Sequence, residues 1–520
     1  MNLLAVFLLL LGVRLASVFL VQTYFVPDEY WQCLEVAHKL VFGYGYLTWE
    51  WIRGIRSYIY PLLFAGLYKA LALFHLDTTT LLVLAPRILQ ALISTFSDYR
   101  FFIWSGKKKW SIFLITISWF WFYTGSRTLS NTLEASLTTI ALSYYPWIGE
   151  GTGYIWPAAI CCFLRPTAVI IWIPLFMYHL GNSKYSPYKL IFTKLVVIGA
   201  LVGASCVAID SYIHGKLLIT PYEFFKYNVL QGVGSFYGTH PWYWYYSTGL
   251  PMILGINFLP FLFGSIDTVR NYDAFPIRRK LLVTLMTSLT VYSFVEHKEI
   301  RFILPLLPIC LFVCVDVLTR WSYKASRYQI WIVAVILLFG NIVPAYYSGQ
   351  VHQRGPTDLM PKLQEISKIY KDEGNNRASI FFLMPCHSTP FYSHIHENVT
   401  MKFITCEPNF QLQYGERPVD EQFYEAPNIW IKRHIPVHPK TAMPTHLVLF
   451  ESLSDKISEF LESYSLIHKI AHAEYFEERR GKHILVYQRR LFNEKNSFNQ
   501  NNHDTIQNDE YNQNSFNNLL

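Results

Sequence analysis

The sequence predicts an α-helical polytopic membrane protein with a polar α/β portion after its last span. Hydrophobic residues make up 52% of the 520-residue chain and charged residues only 15%, against about a quarter charged in a soluble globular chain. Apolar runs near the ~20 residues that a span needs recur from residue 3 to residue 347. Beyond residue 348 they give way to short strand-like runs in a polar background. The mean hydropathy is positive. The net charge of +8 is spread over connecting segments instead of clustering, so no nucleic-acid partner is expected.

Residues 3–22 form the first span. A signal peptide is the alternative, but a basic leading region and a small-residue cleavage site are both missing, so an uncleaved span is expected. Arg14, inside it, is expected to snorkel or to find an internal partner. A first loop follows at 23–57. The run 58–75 either spans or lies along the membrane surface, and Lys107, Lys108 and Lys109 decide between these. With 58–75 on the surface and 81–104 as the second span, this basic cluster shares the side of the N-terminus, and short basic loops favour the cytoplasm. The remaining spans are expected at 110–124, 133–149, 154–164, 167–181, 190–210, 247–266, 280–296, 303–319 and 328–347, about eleven in all. That parity also puts Lys184, Lys189, Arg270, Arg278, Arg279, Lys280, Arg320, Lys324 and Arg327 on the cytoplasmic side.

The opposite, luminal side then receives 23–57, 125–132, the segment around Arg165, 211–246, 297–302 and 348–490. Residues 1–347 are read as the membrane domain and 348–490 as a luminal α/β domain. The latter has strand-like runs ASIFFLM, MKFIT, THLVLFES and KHILVYQ. It contains the acceptor pattern Asn398-Val399-Thr400, a possible glycosylation site that fits a lumen. Cys386 and Cys406 can form a disulfide there; none of the eight cysteines has metal-ligand spacing. Residues 491–520 are Asn-rich and poor in aliphatic side chains, and are expected to be a disordered tail.

Two polar constellations interrupt the apolar pattern. Asp28 and Glu29 open the first loop's aromatic run, YFVPDEYWQ. They either cap a helix that starts after Pro27, or supply a general base for a hydroxyl, with sugar stacked on neighbouring rings. His297, Lys298, Glu299 and Arg301 lie between two apolar runs; they are either an ion-pair network or a phosphate site. Arg127, Asn131 and Glu134 share another boundary, Arg165 sits at a Pro-marked helix break, and His240 is embedded in aromatics. There is no Walker loop, no dinucleotide glycine pattern and no zinc spacing, which argues against an ATPase, a Rossmann-type nucleotide-sugar enzyme and a metalloprotease.

FVPDEYWQ, LEVAH and YGYLTWEW in the first loop, with HKEIRFILP later, resemble the dolichyl-phosphate-mannose-dependent mannosyltransferases of glycosyltransferase family 22. These are multispanning enzymes of the endoplasmic reticulum with a GT-C fold. RTLSNTLE, RPTAVI, FYGTHPWYWY, VHQRG and MPCHSTPFYSH are similar to the branch that acts on GPI-anchor precursors. The resemblance implies transfer of a third, α-1,2-linked mannose from dolichyl-phosphate mannose to a dimannosyl GPI precursor, on the luminal face and with inversion. It maps the catalytic acid onto Asp28, with Glu29 beside it, and the HKE-x-RF motif onto His297, Lys298, Glu299, Arg301 and Phe302. Lys298 and Arg301, helped by Arg165 or Arg127, would meet the leaving phosphate. Trp31, Gln32, Trp49, Glu50 and His240 are the expected substrate contacts. No cofactor and no metal ligand is predicted, and the oligomeric state is not readable. The competing readings are an N-glycan-precursor mannosyltransferase of the same family and a lipid or sugar transporter. In a transporter the charges should lie near the membrane midplane.

Overall fold

The computed structural model describes residues 2–372, 378–408, 418–435 and 443–490; the tail expected at 491–520 lies outside them. Among the described residues six helices are long and apolar enough to cross a membrane: Leu3–Leu20, Thr79–Trp104, Pro187–His214, Tyr245–Arg270, Ile300–Ser322 and Arg327–Lys371. By that measure the eleven expected spans are not reached, because several apolar runs are broken or short. The run at 110–124 divides at Ser118 into Lys109–Ile117 and Trp119–Thr124, and the backbone N–H of Trp119 donates to Asn341 Oδ1 (3.1 Å). Arg165 is extended (φ −138°) between Ile155–Leu164 and a 3-10 turn at Pro166–Ala168. Pro166 offers no N–H and disfavours the helical conformation for the residue before it.

Arg14 finds its partner inside the bundle. Its Nε meets Asp98 Oδ2 at 2.6 Å, and its two other nitrogens donate to the carbonyls of Trp121 (3.1 Å) and Ile115 (2.9 Å). One guanidinium therefore ties the first helix to Thr79–Trp104 and satisfies carbonyls on both sides of the Ser118 break.

The first loop is not a free loop. The helix Ile59–Leu73 has 15 residues, about 22 Å, short of the ~30 Å hydrocarbon core. It buries Tyr60, Phe64, Ala65 and Tyr68. Its start is capped from another helix: Asp210 Oδ1 accepts the backbone N–H of Tyr58 (2.8 Å) and the Ser57 hydroxyl (3.1 Å).

Five strands form one mixed sheet: β1 (Ser379–Leu383), β2 (Thr400–Phe403), β3 (His446–Phe450), β4 (Tyr464–Ala471) and β5 (His483–Arg489). Their order is β2-β1-β3-β5-β4. The β1 strand pairs in parallel with β2 and β3, and β5 runs antiparallel between β3 and β4. Four strands fall on the expected runs; β4 was not anticipated. Its sequence, YSLIHKIA, loses strict alternation at a register shift between Leu466 and His468. One face of the sheet shares a single apolar core with the first loop: Tyr30, Trp31, Leu34, Tyr60 and Phe64 pack with Leu359, Ile380, Phe382, Val448 and Val486. Cys386 and Cys406 form a disulfide, with Cα atoms 5.8 Å apart.

Candidate active site

A helix starts at Asp28, immediately after Pro27, and runs through a π-helical turn at Tyr30–Leu34 into Glu35–Phe42. The two acids at its start diverge. The Glu29 carboxylate is buried and meets Arg127 Nη1 at 2.7 Å. Arg127 is otherwise taken up by the Tyr123 carbonyl (3.0 Å) and the Thr23 hydroxyl (3.2 Å). Asp28 is 17% exposed and meets Arg301 Nη1 through Oδ2 at 2.8 Å. Both acids stand in the first turn of the helix that starts after Pro27, where they complement its positive end, and the Asp28 carboxylate accepts no backbone N–H among the described residues.

From Arg301 a relay of contacts leads through the second constellation. Arg301 Nη2 donates to Glu299 Oε1 (2.5 Å), the same oxygen lies 3.0 Å from His297 Nε2, and His297 Nδ1 lies 2.8 Å from the Gly238 carbonyl. Both ring nitrogens of His297 thus face acceptors, which favours the imidazolium. Burial pushes His297 down, but the hydrogen bonds to Glu299 and Gly238 outweigh it and hold the ring above its ordinary value. Burial alone would raise Glu299; Arg301 and His297 reverse this and hold it at about 2. The result is a fixed guanidinium that orients the Asp28 carboxylate and leaves Oδ1 without a hydrogen-bond partner among the described residues. Such an oxygen can take a hydroxyl proton.

The other expected residues divide into two groups. Gln32 Nε2 donates to Glu50 Oε2 (3.0 Å), and Glu50 Oε1 accepts from Arg56 Nε (3.2 Å) and Nη2 (2.7 Å). Arg165 Nε lies 2.7 Å from Glu134 Oε2, and its Nη1 donates to the Ser130 hydroxyl (2.8 Å). Gln32, Arg56, Ser130, Glu134 and Arg165 line one cleft, and Arg56 is within electrostatic reach of Asp28 and Arg301. Trp49 donates its indole N–H to the Tyr237 hydroxyl (2.9 Å).

Lys298, Trp31 and His240 lie elsewhere. The Lys298 ammonium is buried and donates to the carbonyls of Val295 (2.6 Å) and His240 (2.8 Å), so it stitches backbone together. Trp31 is enclosed in the shared core, its N–H on the Thr389 carbonyl (2.9 Å). His240 is exposed and stacks on Trp244 at 4.5 Å. Asn398 is exposed on the turn before β2. Among the described residues, one group of His, Cys or carboxylate ligands is close enough to share an ion, Cys386, His387 and Cys406; its two sulfurs are committed to the disulfide.

Residues 5–396 match the family model described as the Alg9-like mannosyltransferase family. The chain belongs to this family. GPI mannosyltransferase 3 of Drosophila melanogaster is 57% identical over 96% of this chain and 94% of its own length. GPI alpha-1,2-mannosyltransferase 3 of Homo sapiens is 40% identical over 94% of this chain and 88% of its own. Among solved structures, ArnT from Cupriavidus metallidurans bound to undecaprenyl phosphate aligns over 93% of this chain and 97% of that one, with a TM-score of 0.55 at 10% identity. That likeness fixes the fold as the GT-C fold of membrane glycosyltransferases, and nothing finer. The chain is a multi-pass membrane mannosyltransferase.

In this mannosyltransferase, Asp28, Arg56, Glu134, Arg165 and Arg301 all lie inside the family match, whereas β2 to β5 lie beyond it. Sequence reasoning passed over Arg56 as a site residue. Its signal was its place with Glu50 and Arg53 among the polar groups of the aromatic first loop. Sequence reasoning also missed Glu35, whose carboxylate accepts the backbone N–H of Phe391 (2.9 Å) and Ser393 (3.1 Å) and the Ser393 hydroxyl (2.5 Å). That contact spans 358 residues of sequence and has no local signature.

Proposed function

We propose that this mannosyltransferase adds the third, α-1,2-linked mannose to a dimannosyl GPI precursor on the luminal face of the endoplasmic reticulum, with dolichyl-phosphate mannose as donor. The observation that carries the reading is 57% identity across 96% of the chain to the GPI mannosyltransferase 3 of Drosophila melanogaster. The proposed step is a single displacement with inversion. Asp28 Oδ1 takes the proton of the acceptor hydroxyl as its oxygen bonds to the anomeric carbon, and the bond from that carbon to the donor phosphate oxygen breaks. The lipid phosphate departs with the electron pair. Arg301 orients the Asp28 carboxylate through Oδ2. Two observations favour Asp28 over Glu29 as the base: Glu29 is buried against Arg127, and Asp28 retains an unpaired oxygen in a partly open setting.

Lipid analysis of cells lacking the protein tests the assignment. Accumulation of a dimannosyl GPI lipid is expected. Accumulation of a truncated dolichol-linked oligosaccharide would overturn it in favour of an N-glycan-precursor enzyme.

A further inference from the structure

We propose that a second cavity, enclosed by the first loop and the helices Thr79–Trp104 and Gly355–Asp372, receives a phospholipid with a hydroxyl-rich headgroup, its phosphate on Arg87. The cavity measures about 400 Å³, within the range of small-ligand sites. The first-loop helix separates it from the cleft described above: Glu29, Tyr30 and Leu34 line the cavity, and Gln32 lines the cleft. The helix Gly355–Asp372 forms the facing wall. Its Thr357 hydroxyl donates to the Gln22 carbonyl (2.7 Å), and two turns later the Gln364 side chain donates to the Thr79 hydroxyl.

Arg87 is the cation of this cavity that has no counter-ion. Two carboxylates line the space and both are taken, Glu29 by Arg127 (2.7 Å) and Asp358 by Arg354 (2.9 Å). Arg87 enters no ion pair among the described residues, and its Nε is buried without a hydrogen-bond partner. Its Nη2 donates to the Val21 carbonyl (2.7 Å). A guanidinium held at one nitrogen, with an unmet donor beside a cavity, calls for an oxyanion, and a phosphate matches its fork.

The surroundings say what carries that phosphate. Val21 directly follows the apolar helix Leu3–Leu20, whose last residues Phe19 and Leu20 are exposed, as side chains facing hydrocarbon are. Arg87 therefore stands at the level where acyl chains give way to headgroups. Beyond it the wall alternates between two kinds of surface. Thr80 Oγ1 and His394 Nε2 make no hydrogen bond among the described residues, whereas Val83, Leu84 and Met360 are apolar. A ring polyol offers the complement, hydroxyls at its rim and C–H groups on its faces. The inner wall is the Glu29–Arg127 pair, so a headgroup held here rests against the helix that carries Asp28. Two lipids have this chemistry, phosphatidylinositol resident in the membrane and the glycosylated phosphatidylinositol that the proposed function takes as acceptor.

The binding test does not depend on the proposed function. Full-length protein in phosphatidylcholine nanodiscs is titrated with phosphatidylinositol, phosphatidylserine and free inositol 1-phosphate. Phosphatidylinositol is expected to bind tightest, and Arg87→Gln to weaken it by about tenfold or more. Unchanged affinity in Arg87→Gln overturns the phosphate assignment. Equal affinity for phosphatidylserine overturns the polyol half, and equal affinity for free inositol 1-phosphate overturns the lipid half. A photoreactive phosphatidylinositol on the wild-type protein needs no variant: adducts are expected on Thr80, Val83, Leu84 or Met360, and adducts confined to other segments overturn the placement. Kinetics then identify the source. A raised KM for the dimannosyl GPI precursor in Arg87→Gln, with KM for the mannose donor near wild type, assigns the site to the acceptor. Unchanged KM values, with a lowered kcat that added phosphatidylinositol restores in the wild type but not in the variant, assign it to a resident lipid. Wild-type protein that binds phosphatidylinositol here but transfers no mannose defeats the functional reading and leaves the site standing.

Discussion

At the residue scale the two acids of the first loop make opposite demands on the fold. Glu29 and Arg127 are both nearly inaccessible, at 3% and 1% side-chain exposure, so removing one charge strands the other. Glu29→Gln is expected to destabilise the protein by about 3–5 kcal/mol, seen as lower yield and a lower melting temperature. Asp28→Asn should leave yield and melting temperature near wild type and reduce mannose transfer by about 100-fold or more. Wild-type transfer by Asp28→Asn would rule out Asp28 as the base. His297 carries a signed pH dependence. Its folded value is raised, so its contribution is whole below the ordinary 6.5 and is lost as pH rises through the folded value. Glu299 is the reverse: its contribution is whole above the ordinary 4.5 and is lost as pH falls toward about 2. The relay that orients Asp28 therefore weakens first on the alkaline side. In His297→Gln the alkaline fall of kcat that this proton causes should disappear, and a wild-type alkaline limb in the variant would exclude His297 as its source.

At the element scale, what holds the loop segments is capping from far away. Asp210 starts the helix Ile59–Leu73, and Glu35 gathers the backbone of the turn at Phe391–Ser393. Burial keeps Glu35 up at about 7, with the hydrogen bonds from Ser393 and the backbone of that turn working against it. Glu35→Ala should cost about 1–3 kcal/mol for each donor left unpaired, measured as thermal destabilisation, while the much more conservative Glu35→Gln retains an acceptor and should lose less. The same contrast explains which features were legible in the sequence. Apolar runs, the Arg165-Pro166 break and four strands announce themselves through composition, the missing proline N–H and period-two patterning. The pairing of Asp28 with Arg301 was half legible: both motifs stood out as charges at an apolar boundary, but only packing across 273 positions joins them. The partners of Lys298 and Trp31 were not legible. A buried ammonium on carbonyls and an indole in a core use the same residue types as a phosphate site and a sugar platform, and only burial tells them apart. The β4 strand was hidden by its irregular register.

At the scale of the whole molecule, the membrane helices and the sheet meet through the first loop. If residues beyond 348 are luminal, exposed Asn398 in its Asn-Val-Thr acceptor is available to the glycosylation machinery. Enzymatic removal of N-glycans should then increase the gel mobility of the wild-type protein and leave Asn398→Gln unchanged. A glycan-free wild-type protein at this site would count against a luminal sheet. The Cys386–Cys406 link is of the kind that persists in such an oxidising compartment. Under a linear chain-entropy model, closing its loop contributes about 3 kcal/mol, so Cys406→Ser should lower the melting temperature in non-reducing conditions only.

The core shared by Tyr30, Trp31 and Leu34 with Val448, Ile484 and Val486 sets an order of events during synthesis. The segment around Asp28 leaves the ribosome among the earliest residues, yet the strand that completes its packing is among the last. Until β5 arrives, the first-loop side chains pack against Tyr60, Phe64 and other partners made earlier, but the part of this core that Ile484 and Val486 close stays open. A nonsense or frameshift change between residues 440 and 483, which removes β5, should therefore abolish transfer as thoroughly as loss of the proposed base, although every reacting group is already present in the shortened polypeptide.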